Sequence, residues 1–445
     1  MVDIEQRTRT AEELKKRIEA SVSPFHSIIY ATDELEEVGF EKLELGSRWK
    51  IERGRRYYVN VYGSTLVAFV IGEKWFGENL RFAAAHSDFP CLKIKPSCQM
   101  EANGYIKMNV EVYGGAILNT WLDRPLSAAG RVVLKTDDVM EPEIRYIDLK
   151  KPLFIIPNLA IHMNREVNKG VELNRQKDMI PVMALSDDTD NELKKDTLNK
   201  CISRELNADE KDILDYDMFL YPVETPCSLG ISGELFSAGR LDNLTSVQAC
   251  IKGIKKSVPV NGINIAVVYD SEEVGSATKQ GAGSILTRSI IKRIFKNFDY
   301  DNETMECAFA NGIGLSVDVA HAIHPNVPEK NDPTNKLFLN HGFGIKTSAA
   351  ERYASDPVVI GIIKSLCEKY NIKYQRFVNR SDIPGGSTLG AIAVANLPIR
   401  MLDVGVPILA MHSSRETMGI DDQLYLERIL EEFFVALQND GNNLK

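Results

Sequence analysis

An α/β fold interrupted by a β-rich insertion is what this sequence predicts, on three features of the chain. From about Leu235 onward, apolar runs such as INIAVVYD, IGLSVDVA and IRMLDVGVPIL recur between helix-like segments. Runs that stay apolar without alternating are buried on both faces, as in a mostly parallel sheet covered by helices, and functional sites in such sheets collect beyond the strand ends. Between Met108 and Pro181 the pattern becomes IKMNVEVYG, GRVVLKT and KPLFIIP, strand-like runs separated by Gly, Asn and Asp turns. Finally, 445 residues exceed what one hydrophobic core usually organises. One domain is therefore read as 1–95 joined to 235–445, with 96–234 inserted as a β-rich domain.

The chain opens on a charged, helix-like segment, MVDIEQRTRTAEELKKRIEASVSP, which lacks the apolar stretch and small-residue cleavage site of a secretory signal. Strand-like runs follow at Tyr57 to Tyr62, Thr65 to Ile71 and Arg81 to Ala85, the last ending in His86. Asp187 to Asp217 is polar and reads as solvated helix and loop. The longest uncharged stretch, Ile383 to Ile399, is broken by Pro384, Gly385, Gly386 and Pro398, so it does not read as a membrane span. A net charge of -9 without a basic block argues against a nucleic-acid partner. Seven cysteines with no CxxC pair fit a reducing compartment, and the cytoplasm is the expected location.

Histidine and carboxylate residues recur at the expected strand ends. In Ala85-His86-Ser87-Asp88, residues two apart can point the same way, so an imidazole can ligate a metal while a carboxylate fixes its tautomer. A His-x-Asp triplet also arises often by chance. Asp242, in SAGRLDNLTS, sits before the helical run Leu244 to Ile254, where a plain helix cap is the commoner role. Tyr269-Asp270-Ser271-Glu272-Glu273 puts two adjacent carboxylates at one strand end. One can bind a metal while the other addresses water, and the alternative is a solvated acidic turn. The small residues of GSATKQGAGS, which follow, imply close packing around this loop. Asp318 ends IGLSVDVA and needs partners or a metal to be tolerated there, a hydrogen-bonded aspartate being the other reading. His412, in AMHSSRE, supplies a second imidazole near a strand end or is a satisfied core histidine. Together these residues fit a dinuclear site with a bridging carboxylate, and the absence of thiolates from the set favours an open catalytic site.

AAAHSDFPCLKIKP, PNLAIHMNR, SAGRLDNLTS, YDSEEVGSATKQGAGS, SVDVAHAIHPN, NHGFGIKTSAAERYAS, DIPGGSTLGAI and MHSSRE occur in that order. In them the chain resembles the aspartyl aminopeptidase and aminopeptidase I family of metallopeptidases. The resemblance implies a metallopeptidase α/β/α sandwich with a mixed sheet, plus an inserted β-rich oligomerisation or lid domain. It also implies two Zn2+ per subunit, with Co2+ or Mn2+ as other possible ions, and removal of the N-terminal residue from peptides. His86 and Asp318 would hold one ion, Glu273 and His412 the other, with Asp242 bridging; Asp88 would orient a ligand, and Glu272 would take a proton from water.

The resemblance further implies a homo-oligomer, related members forming dodecamers, in which His162 of AIHMNR reaches a neighbouring subunit's site. Lys346 of GIKTSAAERYAS would pair with an acidic first side chain, with Gly386 and Ser387 also contacting substrate. From the residues alone, His162 reads as a surface histidine and Lys346 as a solvated lysine. One departure concerns specificity: the family often has a cysteine before its Gly-Ser-Thr segment, where this chain reads Gly385-Gly386-Ser387-Thr388. His321, His324 and His341 receive no role. Neutral or basic first residues, a two-metal amidohydrolase or deacylase, and a catalytically silent assembly subunit remain the competing readings.

Overall fold

The structure, a computed structural model, describes residues 4–186, 196–383 and 385–436. Residues 1–3 of the N-terminal segment, 187–195 of the polar stretch and Pro384 lie outside the described residues. The chain forms two compact units, Met1–Asp88 with Pro226–Met411 and Glu416–Lys445, and Phe89–Thr225 with His412–Arg415. The division falls at 88/89 and 225/226 and not at 95/96 and 234/235, because backbone pairing decides it. Cys91 already pairs with Tyr113 in the second unit, and Cys227–Leu229 pairs with Leu235–Ala238 in the first.

The first unit is built on a nine-stranded mixed sheet. Its spatial order is Glu41–Lys42, Arg56–Val61, Thr65–Ile71, Ile263–Tyr269, Leu80–His86, Ile313–Val317, Arg400–Gly405, Phe343–Lys346 and Tyr374–Phe377. The four strands from Ile263–Tyr269 to Arg400–Gly405 run parallel, so their C-terminal ends open at one edge. Successive residues of these strands feed different cores, as a side-chain period of two requires. Ala83 and Ala85 pack with Leu14, Ile28, Leu244, Val247 and Leu430 on one face, while Phe82 and Ala84 pack with Ile291, Phe295 and Phe309 on the other. Helices Ile4–Ala20, Pro24–Glu36, Leu241–Lys256 and Ile420–Val435 cover the first face, and Leu286–Asn297 and Asn302–Asn311 the second. This is the expected α/β/α sandwich, and each fully buried Leu or Phe contributes roughly 1.5–3 kcal/mol to it.

Local signals set the helix starts. Asp356 accepts the N–H groups of Val358 and Val359, with Pro357 as first residue of Pro357–Tyr370, and Asp301 caps Asn302–Asn311 through the Thr304 N–H. Among the described residues no helix is long and apolar enough to cross a membrane.

The second unit carries an antiparallel six-stranded sheet in the order Glu143–Asp148, Leu126–Leu134, Ile213–Pro222, Cys91–Ala102, Tyr105–Tyr113 and Val182–Leu185. Ile106, Met108 and Val110 point to its core while their neighbours are partly or fully exposed, the alternation of a sheet buried on one face. KPLFIIP departs from expectation, since it forms only isolated bridges, Phe154 to Leu126 and Ile155 to Val182. Pro152 and Pro157 bracket the run and offer no N–H to extend a ladder.

Candidate metal centre

The parallel strands deliver the candidate residues to one edge. His86 is the last residue of its strand and lies in register with Tyr269, so Asp270 to Glu273 leave the sheet beside it. Asp318 follows Ile313–Val317, the neighbour on the other side. Its position depends on a close approach: a Cβ on Gly405 would lie 1.8 Å from the Asp318 carbonyl oxygen, so only glycine lets the two strands meet here.

Asp242 opens the helix Leu241–Lys256 but is not helical, with φ -77 and ψ 104, and its peptide bond to Asn243 is cis. Two bonds hold this turn: the Asp242 N–H donates to Glu416 Oε2 at 3.1 Å, and Asn243 Nδ2 donates to the Val317 carbonyl at 2.9 Å. The carboxylate is thereby brought to the imidazole, and helix capping does not describe its role. His86 Nε2 lies 3.4 Å from Asp242 Oδ1 and 3.6 Å from Asp318 Oδ1. The ligand atoms of His86, Asp242 and Asp318 fall within 4.8 Å of one another, as do those of His86, Glu272 and Glu273.

Asp88 ties the two loops together. Its Oδ1 accepts the Glu272 N–H and its Oδ2 the Glu273 N–H, both at 3.1 Å. On its other side Oδ1 lies 3.4 Å from His86 Nδ1, and the Asp88 carbonyl lies 3.0 Å from that nitrogen. The buried carboxylate thus fixes the imidazole, leaving Nε2 to face Asp242 and Asp318. The acidic loop is tight: the Ser276 N–H donates to the Ser271 carbonyl at 2.7 Å, and a Cβ on Gly281 would meet the Ser276 carbonyl oxygen at 2.3 Å. Close packing after the glutamates is as expected from the small residues there.

So much carboxylate attracts positive charge. Burial opposes a charge on His86, yet Asp242, Asp318 and Asp88 outweigh it and raise its pKa well above the ordinary histidine range. Burial pushes the Glu272 carboxyl up to about 8; His86 opposes the rise, and Asp318, Asp88 and Asp242 add to it. Without a metal, protons on these groups offset the clustered negative charge. Imidazole and carboxylate donors with no thiolate suit zinc in an open site.

The family model for aminopeptidase I zinc metalloprotease (M18) matches residues 17–434. The chain belongs to this family. It is 44% identical to the probable M18 family aminopeptidase 2 of Clostridium novyi, over 97% of this chain and all of that one. A chain in the cryo-EM structure of the Ape4 and Nbr1 complex is similar in fold, with TM-score 0.92 and 32% identity over 97% of this chain and 86% of that one. The S. cerevisiae mApe1 dodecamer structure shares the fold at TM-score 0.81, with 24% identity over 95% of this chain and 96% of that one. This M18 protein is a zinc metallo-aminopeptidase, and hence a hydrolase.

Elsewhere in the M18 enzyme, Lys346 is not solvated but 1% exposed, with Nζ 3.6 Å from Asp318 Oδ2. Burial disfavours its charge, but Asp318 and Asp403 prevail and raise its pKa. Gly386 and Ser387 are exposed in the loop before Leu389–Ala393. His412 lies in the connection between Pro407–Leu409 and Glu416–Gly419, which pair in the first unit. Its Nδ1 is 3.2 Å from the Gly115 carbonyl, within the second unit. His162 is exposed on a turn of the second unit. His321, His324 and His341 belong to none of the clusters found among the described residues. Sequence reasoning gave Glu416 no part, although its carboxylate anchors Asp242. The only signal was its place at the end of MHSSRE.

Zinc must displace the proton held by His86, which titrates well above its ordinary value, and its charge draws off the one that burial holds on Glu272. Zinc affinity should therefore weaken as pH falls from about 8 towards 6, with proton release on binding. Competition with a chelator across that range measures it, and a pH-independent affinity would contradict the account.

Proposed function

We propose that the enzyme removes acidic residues, Asp or Glu, from peptide N-termini. In this reading His86 and Asp318 would hold one zinc ion and Glu273 and His412 a second, with Asp242 serving both. The observation that carries it is the convergence of His86, Asp242, Asp318, Glu272 and Glu273 in overlapping sets of ligand atoms at one sheet edge. Bound there, zinc supplies a nucleophilic water at neutral pH and polarises the scissile carbonyl. Glu272 is the base: its carboxylate takes a proton from the attacking water and returns it to the leaving amine. Asp88 holds both the loop carrying Glu272 and the ring of His86. Seven cysteines, all free thiols, support a cytoplasmic location.

Lys346 supports the acidic preference. Its buried ammonium has Asp318 as its nearest carboxylate. Once Asp318 serves a cation, Lys346 is best compensated when the substrate brings a carboxylate of its own. Gly386 and Ser387 would line the peptide's path. The chain would assemble as a homo-oligomer, and a dodecamer like that of mApe1 is the form proposed. In it the exposed His162 would complete a neighbouring subunit's site.

Glu272→Gln should keep zinc, measured by elemental analysis, while turnover falls at least about a hundredfold, since an amide cannot accept the proton. Wild-type turnover would remove Glu272 from its role. Lys346→Ala should lower kcat/KM on glutamyl and aspartyl substrates about thirtyfold, the equivalent of roughly 2 kcal/mol, with leucyl substrates little changed. An equal loss on all substrates, or a wild-type preference for leucyl or lysyl ones, would sink the acidic reading but not the aminopeptidase. Inactive His162→Ala and Glu272→Gln subunits should regain activity in mixed oligomers, and none regained in verified mixtures would reject the shared site.

A further inference from the structure

Asp270 has no part in the chemistry above, yet its buried carboxylate is the hub of a polar cluster behind the loop that carries Glu272. Oδ2 accepts hydrogen bonds from the Ser64 hydroxyl at 2.6 Å and the Gln280 amide at 2.9 Å, and Oδ1 accepts the Ser271 N–H at 2.6 Å. The Asp270 N–H donates to Thr65 Oγ1 at 2.9 Å, and that hydroxyl donates to the Gln280 carbonyl at 3.0 Å. Three stretches of chain therefore meet at one carboxylate: the turn leading into Thr65–Ile71, the end of Ile263–Tyr269, and the close of the loop at Gln280. Each donor matters because a buried carboxylate is tolerated only when its oxygens are satisfied.

The conformation next to it needs such support. Ser271 has φ 66 and Ser276 φ 59, left-handed values that cost energy for residues other than glycine and persist only where the surroundings over-determine them. Beyond Ser271, the Glu272 and Glu273 N–H groups reach Asp88. The loop is thus gripped from two sides, by Asp270 at its root and by Asp88 at its tip.

We propose that Asp270, with Ser64 and Gln280, is a positioning residue for the reaction, fixing the left-handed turn at Ser271 so that the Glu272 carboxylate is held at the metal cluster. It touches neither substrate nor metal, and the proposal rests on Glu272 being the base. Loosening this anchor gives Glu272 more than one orientation, so the proton transfer slows while substrate binding is unchanged. kcat should therefore fall and KM should not.

The test uses the zinc-loaded enzyme with the variants Asp270→Asn, Gln280→Ala, Ser64→Ala and Glu272→Gln. Asp270→Asn turns the amide's donor half toward a donor, so kcat should drop tenfold or more with KM within twofold and zinc content intact. Gln280→Ala and Ser64→Ala should each give a smaller drop of the same kind. Pairing Asp270→Asn with Gln280→Glu restores one donor–acceptor pair and should recover part of kcat. Wild-type kcat in all three anchor variants, or equal losses of kcat, KM and zinc, would overturn the proposal. If Asp270→Asn does not fold, Gln280→Ala and Ser64→Ala decide the matter by the same measure. Wild-type turnover in Glu272→Gln would show that the base assignment failed; an inactive Glu272→Gln beside fully active anchor variants would show that the positioning role alone failed.

Discussion

Two backbone N–H groups donated to one buried carboxylate are the constraint on which the site depends. Glu272 and Glu273 cannot take up their places beside His86 unless their loop is bound to Asp88, and His86 cannot present Nε2 to Asp242 and Asp318 unless Nδ1 is engaged on the same side. One carboxylate meets both demands because Leu80–His86 and Ile263–Tyr269 are parallel and in register at their ends. A shift of one residue in that pairing would send His86 or Asp270 to the opposite face of the sheet. The buried strands and their two helical layers therefore do more than bury surface. They hold the register to which the chemistry is tuned.

That arrangement has an energetic cost concentrated at one edge. His86, Asp88, Asp242 and Asp318 are buried together, and like charges at short range disfavour the folded state unless something positive joins them. Lys346 and a protonated His86 supply part of that charge in the metal-free protein. Zinc supplies it more completely, so metal binding and the stability of the strand-end loops are coupled. Burial of Asp403, which pushes its carboxyl up to about 6, extends the same tension one strand further, next to Lys346.

Much of this was legible in the sequence, for identifiable reasons. Uninterrupted runs such as INIAVVY can only be interior strands, and polar residues at the ends of such runs stand out against an apolar background. His86, Glu272, Glu273 and Asp318 stand out on that basis and Asp242 from the turn before a helical run, and the fold brings all five together. What escaped notice depends on partners far apart in the chain. Asp270 meets Ser64 across 206 residues and Glu416 meets Asp242 across 174, so neither bond leaves a local trace. From the residues alone Lys346 reads as solvated, because a lone lysine carries no mark of burial, and only the family resemblance gave it a role; the strand Phe343–Lys346 is buried throughout. KPLFIIP looked like a strand from its apolar residues, and its prolines decided otherwise.

We propose that this edge of the sheet holds two zinc ions. Anomalous diffraction from crystals of the zinc-loaded enzyme, collected on either side of the zinc absorption edge, addresses it directly. Two peaks per subunit are expected, both beside the cluster of His86, Asp242, Asp318 and Glu273. A single peak, or zinc bound away from His86, Asp242 and Asp318, would contradict it.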